Sequence, residues 1–330
     1  MTYAAIIGIG SYLPERRLTN ADLECMVDTS DEWILSRTGI AERRIAAEGE
    51  ATSDMAARAG TVAIQDAGVE PSKVDLLIVA TSTPDMLMPS AAALAQAKMG
   101  LTCPAMDVNA ACTGFIYALQ LAASTIESGR ARTVLVIGAD TLSSIVDFTD
   151  RTTCVLFGDG AGAVVLRASR EPGVLGVHLG ADGTGADMLM VPAGGSAAPL
   201  TPERMAAREQ FMVMNGNEVF KFAVRRIPQV TKQALRESHL GVEDVDWLVP
   251  HQANQRIIDT IADRLGISHD HVVSTIRDTG NTSSASIPLA IDALYTAGRL
   301  RSGQTLALVG FGAGLTWGAA IVRWTKEEDV

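Results

Sequence analysis

Val74-Asp75-Leu76-Leu77-Ile78-Val79 recurs later in the chain as Val245-Asp246-Trp247-Leu248-Val249-Pro250. Each is a continuous apolar run entered through Val-Asp, the pattern of a parallel strand covered on both faces. Other blocks repeat around it in the same order. Gly8-Ile9-Gly10 has a counterpart in Val177-His178-Leu179-Gly180, and Lys98-Met99-Gly100-Leu101 in Arg264-Leu265-Gly266-Ile267. Gly129-Arg130-Ala131-Arg132 matches Gly298-Arg299-Leu300-Arg301, and Gly162-Ala163-Val164-Val165-Leu166-Arg167 matches Gly318-Ala319-Ala320-Ile321-Val322-Arg323. Shared blocks in a shared order mark an internal duplication. The chain therefore reads as two copies of one α/β unit, 1–170 and 171–330, changing over near residues 169–173.

The periodicity predicts strands over 4–9, 74–80, 133–137 and 163–166, with helices over 20–27, 31–37, 53–68 and 90–99. Thr19 or Asn20, Ser30 or Asp31, and Thr52 or Ser53 stand where helix caps are expected. Alternating strands and helices predict α/β layers. The stretch 182–216 has no counterpart in the first copy. Its Gly, Ala, Met and Pro content predicts a long covering loop, a kind that is often functional.

Of the 330 residues 47% are hydrophobic, enough for a large core. A formal charge of −11 argues against a nucleic-acid partner. The four cysteines, Cys25, Cys103, Cys112 and Cys154, show no CxxC spacing, so reduced thiols and a cytoplasmic location are expected. The first residues lack the basic region of a signal peptide. No apolar run reaches the roughly 18–20 residues of a membrane span.

One cysteine stands out, in Asp107-Val108-Asn109-Ala110-Ala111-Cys112-Thr113-Gly114-Phe115. The apolar run that follows predicts a buried helix beginning just after Cys112. A thiol there faces unpaired N–H groups and the positive end of the helix dipole, which predicts a lowered pKa. The ordinary reading is a small core cysteine. By the repeat, its helix corresponds to the one after Thr279-Gly280-Asn281-Thr282-Ser283, and the loop Pro250-His251-Gln252-Ala253-Asn254 to the one after Val79. In α/β sheets ligands sit beyond the carboxyl ends of strands, so equivalent loops from the two copies can converge on one site.

These strings together resemble the β-ketoacyl-acyl-carrier-protein synthase III family of the thiolase superfamily. The resemblance rests on Ser30-Asp31-Glu32-Trp33-Ile34, Arg37-Thr38-Gly39-Ile40, Ala111-Cys112-Thr113-Gly114-Phe115, Asp150-Arg151 and Phe157-Gly158-Asp159-Gly160-Ala161-Gly162. It continues through Gly216-Asn217-Glu218-Val219-Phe220-Lys221, His251-Gln252-Ala253-Asn254, Gly280-Asn281-Thr282-Ser283 and Gly312-Ala313-Gly314-Leu315-Thr316-Trp317-Gly318. It covers essentially the whole chain. It implies a duplicated α-β-α-β-α sandwich and a Cys-His-Asn triad at Cys112, His251 and Asn281. The implied reaction is acyl transfer from acyl-CoA to Cys112, then decarboxylative condensation with malonyl-acyl-carrier protein.

The resemblance further implies an oxyanion hole from the N–H groups of Cys112 and Ala313. It places CoA on Trp33, Arg37, Thr38, Arg151 and Asn254, and the carrier protein on Lys221 and Arg256. It implies a homodimer in which Met88 reaches the partner's acyl pocket, where a methionine leaves room for primers longer than acetyl, or branched ones. It implies no cofactor, the CoA thioesters being substrates, no metal, and neither a nucleic acid nor a membrane as partner. A related enzyme of secondary metabolism using CoA thioesters alone is the alternative. A scaffold subunit is disfavoured because all three triad residues are present. A dinucleotide-binding dehydrogenase is disfavoured because the run at Phe157 precedes a strand rather than following one. His269-Asp270-His271 offers no third ligand nearby for a metal.

Overall fold

The computed structural model describes residues 1–326. Two sheets carry the fold. The first runs in the spatial order Tyr3–Tyr12, Gly160–Ser169, Thr133–Asp140, Leu76–Ala80, Ala105–Val108. Its last three strands are parallel, while Gly160–Ser169 is antiparallel to both of its neighbours. The second sheet runs Trp247–Pro250, Thr305–Gly312, Thr316–Arg323, Val174–Ala181, with one parallel pair followed by two antiparallel ones. The parallel–antiparallel–antiparallel succession is thus the same in both sheets.

The repeated Val-Asp blocks do the same work in each. The Asp75 N–H donates to the Thr133 carbonyl at 2.9 Å, and its carboxylate receives the Thr133 N–H at 2.9 Å. The Asp246 N–H donates to the Thr305 carbonyl at 2.9 Å, and its carboxylate receives the Thr305 N–H at 2.7 Å. Each aspartate sets the register of the parallel pair beside it.

Between the sheets lie the helices Gly114–Glu127 and Ser286–Thr296. Phe115, Ile116, Leu119 and Ile126 of one, with Ile287 and Ile291 of the other, are buried in a single core. That core also takes Val134 and Val136 from the first sheet and Leu306, Leu308 and Val322 from the second. The first sheet's outer face is covered by Thr52–Asp66 and Ala91–Lys98, and the second's by Gly216–Glu237 and Gln255–Leu265. The result is an α-β-α-β-α layered sandwich, as the resemblance implied.

Some local expectations shift. The Thr52–Asp66 helix has Ala51, not Thr52 or Ser53, at its cap position, and the Asp54 carboxylate takes the Ala51 N–H at 2.9 Å. The two hydroxyls are drawn away, Thr52 to the Thr83 carbonyl and Ser53 to Asp85. The stretch 182–216 is partly regular. Its strands Leu189–Met190 and Val213–Met214 pair antiparallel. The stretch is tied down by a reciprocal backbone pair between Asp182 and Leu315, by Met212 N–H to the Ile145 carbonyl, and by the Arg208–Asp147 ion pair.

Gly138 lies where the two halves meet closely. A Cβ there would stand 2.3 Å from the Ser284 carbonyl oxygen, which is backbone and has little freedom to yield. Gly138→Ala is expected to cost about 1–3 kcal/mol or more, read as a lower thermal midpoint; an unchanged midpoint would show that the contact is soft.

Candidate active site

The chain leaves the Ala105–Val108 strand and makes a short 3-10 turn, Ala111–Thr113, before the Gly114–Glu127 helix. Ala111 sits at φ 49°, a left-handed conformation rare without glycine, and the Asn109 side-chain oxygen accepts its N–H at 3.2 Å. That bend turns Cys112 off the helix end toward the second half. Gly312 meets it there: a Cβ at 312 would lie 2.7 Å from the Cys112 nitrogen. Only glycine lets the two backbones approach this closely.

Cys112 is 8% exposed. Burial pushes its thiol up to about 12, with the Asp140 carboxyl pushing the same way and the Ser283 hydroxyl and its own N–H pulling down. This corrects the expectation of a lowered pKa. The helix end is there, but the cavity around the sulfur is closed enough for desolvation to win. At rest the group is a thiol.

His251 follows the Trp247–Pro250 strand, its N–H bonded to the Val309 carbonyl at 2.7 Å and its ring edge-on to Phe311. Burial pulls its imidazole down to about 3, so it is neutral. Nδ1 lies 2.7 Å from the Ser286 hydroxyl. That hydroxyl has no other acceptor among the described residues, so it donates to Nδ1 and the ring hydrogen sits on Nε2. Gln252 beside it is also buried; its side chain donates to the Pro250 and Val273 carbonyls and accepts from Thr275 and Ile276.

Asn281 is held from both ends. Its N–H donates to the Leu156 carbonyl at 2.8 Å and its own carbonyl receives the Gly158 N–H at 3.0 Å. Its side-chain oxygen accepts the Ser283 N–H at 2.9 Å. The oxygen is thus consumed locally, and the amide NH₂ is the part left to face a ligand. Ser283, like Ala111, has φ 49°.

Two cavities share Cys112, Phe157 and Leu189. One, about 110 Å³, brings His251, Asn281 and Asn254 to the cysteine and passes Phe220 and Ile257. The other, about 180 Å³, is walled by Leu142, Ile145, Met190, Val191 and Met212, with Ser283 and Ala313 at the cysteine end. The fold therefore gathers Cys112, His251 and Asn281 on one cavity, and Cys112 also borders a second, largely aliphatic one that includes Ser82, Asn109 and Ser283. Ala313 is not among the residues with positive φ, so its Cβ is accommodated, and its N–H has no hydrogen-bond partner among the described residues.

The model of the 3-oxoacyl-[acyl-carrier-protein (ACP)] synthase III family matches residues 106–183, and that of its C-terminal part matches residues 235–324. The β-ketoacyl-[acyl-carrier-protein] synthase III of Xylella fastidiosa is 52% identical over 323 residues, 98% of each chain. The chain belongs to the 3-oxoacyl-acyl-carrier-protein synthase III family. Among solved structures, the β-ketoacyl-[acyl-carrier-protein] synthase III of Thermus thermophilus is 48% identical with a TM-score of 0.90, covering 97% of this chain and 99% of that one. The priming β-ketosynthase of the R1128 polyketide biosynthetic pathway is 38% identical with a TM-score of 0.92, covering 99% and 97%. Synthase III membership makes the chain an acyl-transferring condensing enzyme on a thiolase fold.

The outlying residues that the synthase III resemblance singled out fall into several groups. Trp33, 37% exposed on the Asp31–Thr38 helix, carries the Arg151 guanidinium over its ring at 5.2 Å from the centroid. A base stacked between them needs roughly 7 Å, two contacts of about 3.5 Å, so Arg151 must swing off Trp33 to admit one. Thr38 is buried; its hydroxyl donates to the Ile34 carbonyl and accepts the Ile40 N–H, which serves the helix end. Asn254 caps the Gln255–Leu265 helix through its oxygen and donates to the Arg37 carbonyl at 3.0 Å, so it joins the Arg37 helix to the cavity. Arg256 lies over the Phe220 ring, and exposed Lys221 pairs with Glu218 at 2.7 Å; their chain neighbours Ile257 and Phe220 line the His251 cavity. Met88 is 82% exposed and lines neither Cys112 cavity.

Ser286 and Asp140 were not found from sequence, and Ser283 and Gly312 entered only as members of the family strings, without a role. The duplication, which sets Ser284 opposite Cys112, held a further signal for that neighbourhood. No helix among the described residues is long and apolar enough to cross a membrane, and no group of three metal-ligating side chains is gathered among them.

The neutral buried histidine gives a signed pH effect. In the unfolded chain His251 takes a proton below its ordinary value of 6.5, whereas the folded one stays neutral down to about 3. Unfolding therefore takes up a proton, and stability falls as pH drops from 6.5, by up to about 1.4 kcal/mol per pH unit from this group. His251→Asn should flatten the acid limb of stability measured by denaturant titration between those values. Parallel limbs in the two proteins would contradict a neutral buried imidazole.

Proposed function

We propose that the chain joins an acyl-CoA primer to malonyl-acyl-carrier protein, the initiating condensation of type II fatty acid synthesis. The observation that carries the reading is the meeting of two cavities at Cys112. One, walled by Leu142, Ile145, Met190, Val191 and Met212 beside Ser82, Asn109 and Ser283, suits an acyl chain. The other is lined by two hydrogen-bond donors, His251 and Asn281, and suits the thioester end of a substrate.

In the first half-reaction the Cys112 sulfur attacks the thioester carbon of acyl-CoA, the bond to the CoA sulfur breaks, and the thiol proton ends on the released CoA. The N–H groups of Cys112 and Ala313 receive the oxyanion. In the second, the malonyl carboxylate leaves as CO₂ and its electron pair passes to the thioester enolate. The His251 Nε2–H and the Asn281 amide donate to the enolate oxygen, a task for neutral donors. The α-carbon then bonds to the acyl carbon, Cys112 leaves and regains a proton, and 3-oxoacyl-carrier protein departs.

CoA lies along Trp33, Arg37, Arg151 and Asn254 in this reading, with Thr38 shaping the helix end beneath it. Lys221 and Arg256 meet the acidic carrier. The protein works as a cytoplasmic homodimer of two-halved protomers, 1–170 and 171–330, needing no cofactor. The exposed Met86-Leu87-Met88 loop closes the partner's acyl pocket, and the flexible Met88 leaves depth for primers longer than acetyl.

His251→Ala and Asn281→Ala should each retain acylation of Cys112 by acyl-CoA while malonyl decarboxylation falls about 100-fold or more; ordinary decarboxylation in both would refute the enolate assignment. Reversing both charges, Lys221→Glu with Arg256→Glu, should raise the KM for malonyl-carrier protein about threefold to tenfold and weaken its salt dependence. Acyl-CoA priming and turnover of malonyl-CoA should stay unchanged. Equal carrier kinetics in variant and parent would move the carrier elsewhere or favour a CoA-only donor.

A further inference from the structure

Corresponding positions of the two halves differ at one place that the reaction above does not use. The strands Thr133–Asp140 and Thr305–Gly312 are each eight residues long, begin on equivalent aspartate contacts, and end at Asp140 and Gly312. The turns they face correspond as well. Asn109 and Asn281 each accept an N–H two residues on, at Ala111 and Ser283, and both acceptor turns sit at φ 49°. Cys112 thus corresponds to Ser284, and Ala313 to Thr141.

In the first copy Gly312 sets no side chain against the Cys112 N–H, and the Ala313 N–H is unpartnered among the described residues. In the second copy the same two donors are taken. The Ser284 N–H donates to Asp140 at 3.0 Å, and the Thr141 N–H donates to the Thr83 hydroxyl at 2.7 Å, which in turn lies 3.2 Å from Asp140. Asp140 is completely buried, and it also receives the Ser82 N–H at 2.7 Å and contacts the Ser284 hydroxyl at 2.5 Å. The Ser284 hydroxyl further reaches the Ala80 carbonyl at 2.8 Å. A carboxyl group of the protein itself thus stands where the first copy receives a substrate oxyanion.

We infer that Asp140 is a positioning residue: it fills the second copy of the anion hole and so fixes the turn that aims Asn281 at the malonyl group. The inference rests on the enolate role given to Asn281 above. Asp140 touches no substrate. It acts through the Ser283–Ser284 backbone, whose first N–H holds the Asn281 oxygen and whose second is held by Asp140. Without it the buried Ser284 N–H is a donor with nothing to face, the half-buried Ser82 N–H loses its acceptor, and the turn is free to re-aim the amide.

Asp140→Ala should separate the two half-reactions. Acylation of Cys112 by acyl-CoA is expected to hold or rise, since the Asp140 carboxyl that helps push the thiol up is gone, while single-turnover condensation from the isolated acyl-enzyme falls about 30- to 100-fold. Formate, but not chloride at equal ionic strength, should restore part of the condensation rate by entering the emptied hole. Equal losses in both steps, or no effect of formate, would overturn the inference. If Asp140→Ala does not fold, Ser284→Ala keeps the carboxyl group and removes one of its partners; the same split at a smaller factor is expected, and no split overturns the inference. Asn281→Ala is measured alongside. Normal condensation there defeats the enolate role and this inference with it, whereas a dead Asn281→Ala beside an unsplit Asp140→Ala defeats this inference alone.

Discussion

Two strand ends press against two turns, and the site depends on that contact. The strand ending at Gly312 presses on the Cys112 turn, and the one ending at Asp140 presses on the Ser284 turn. The halves are alike in backbone and opposite in chemistry at this joint. Gly312 sets no side chain against its donor pair; Asp140 takes one donor of the equivalent pair directly, and the Thr83 hydroxyl beside it takes the other. Gly138, one turn of pleat earlier, permits the approach because any Cβ would strike Ser284. A duplicated fold offers two possible sites, and these few residues make one reactive and the other a clamp.

The electrostatics follow from the same closure. Taking Cys112 and His251 out of water holds both neutral, the thiol pushed up and the imidazole pulled down. A neutral imidazole whose Nδ1 is occupied by Ser286 presents an N–H from Nε2. Asn281, with its oxygen spent on Ser283, presents only N–H as well. A site of aimed neutral donors stabilises developing negative charge without giving up a proton. In the proposed reaction the sulfur is therefore activated on meeting the thioester, with the Cys112 and Ala313 N–H groups receiving the oxyanion, rather than by standing as a thiolate.

Much of this was legible in the sequence, for identifiable reasons. The duplication shows because Asp75 and Asp246 hold register in both halves, so the Val-Asp entry into an apolar run recurs. The convergence of Cys112, His251 and Asn281 followed from that repeat and from the family strings. Asp140 was hidden because its partners Ser82 and Ser284 lie 58 and 144 residues away, and a strand-end aspartate alone reads as a turn residue. The raised thiol pKa was hidden because helix position is local, whereas desolvation needs walls from Phe157, Leu189 and Gly312. The inward hydroxyl of Thr38 and the cap at Ala51 were set by packing that local spacing does not encode.

The central claim is that Cys112, where the two cavities meet, carries the acyl group between the half-reactions. Peptide mass mapping after incubation with an acyl-CoA alone tests it most directly. The account predicts one acyl mass on the peptide containing Cys112, discharged when malonyl-carrier protein is added. An adduct on Cys103 or Cys154 instead, or turnover with no adduct that malonyl-carrier protein can discharge, would contradict it.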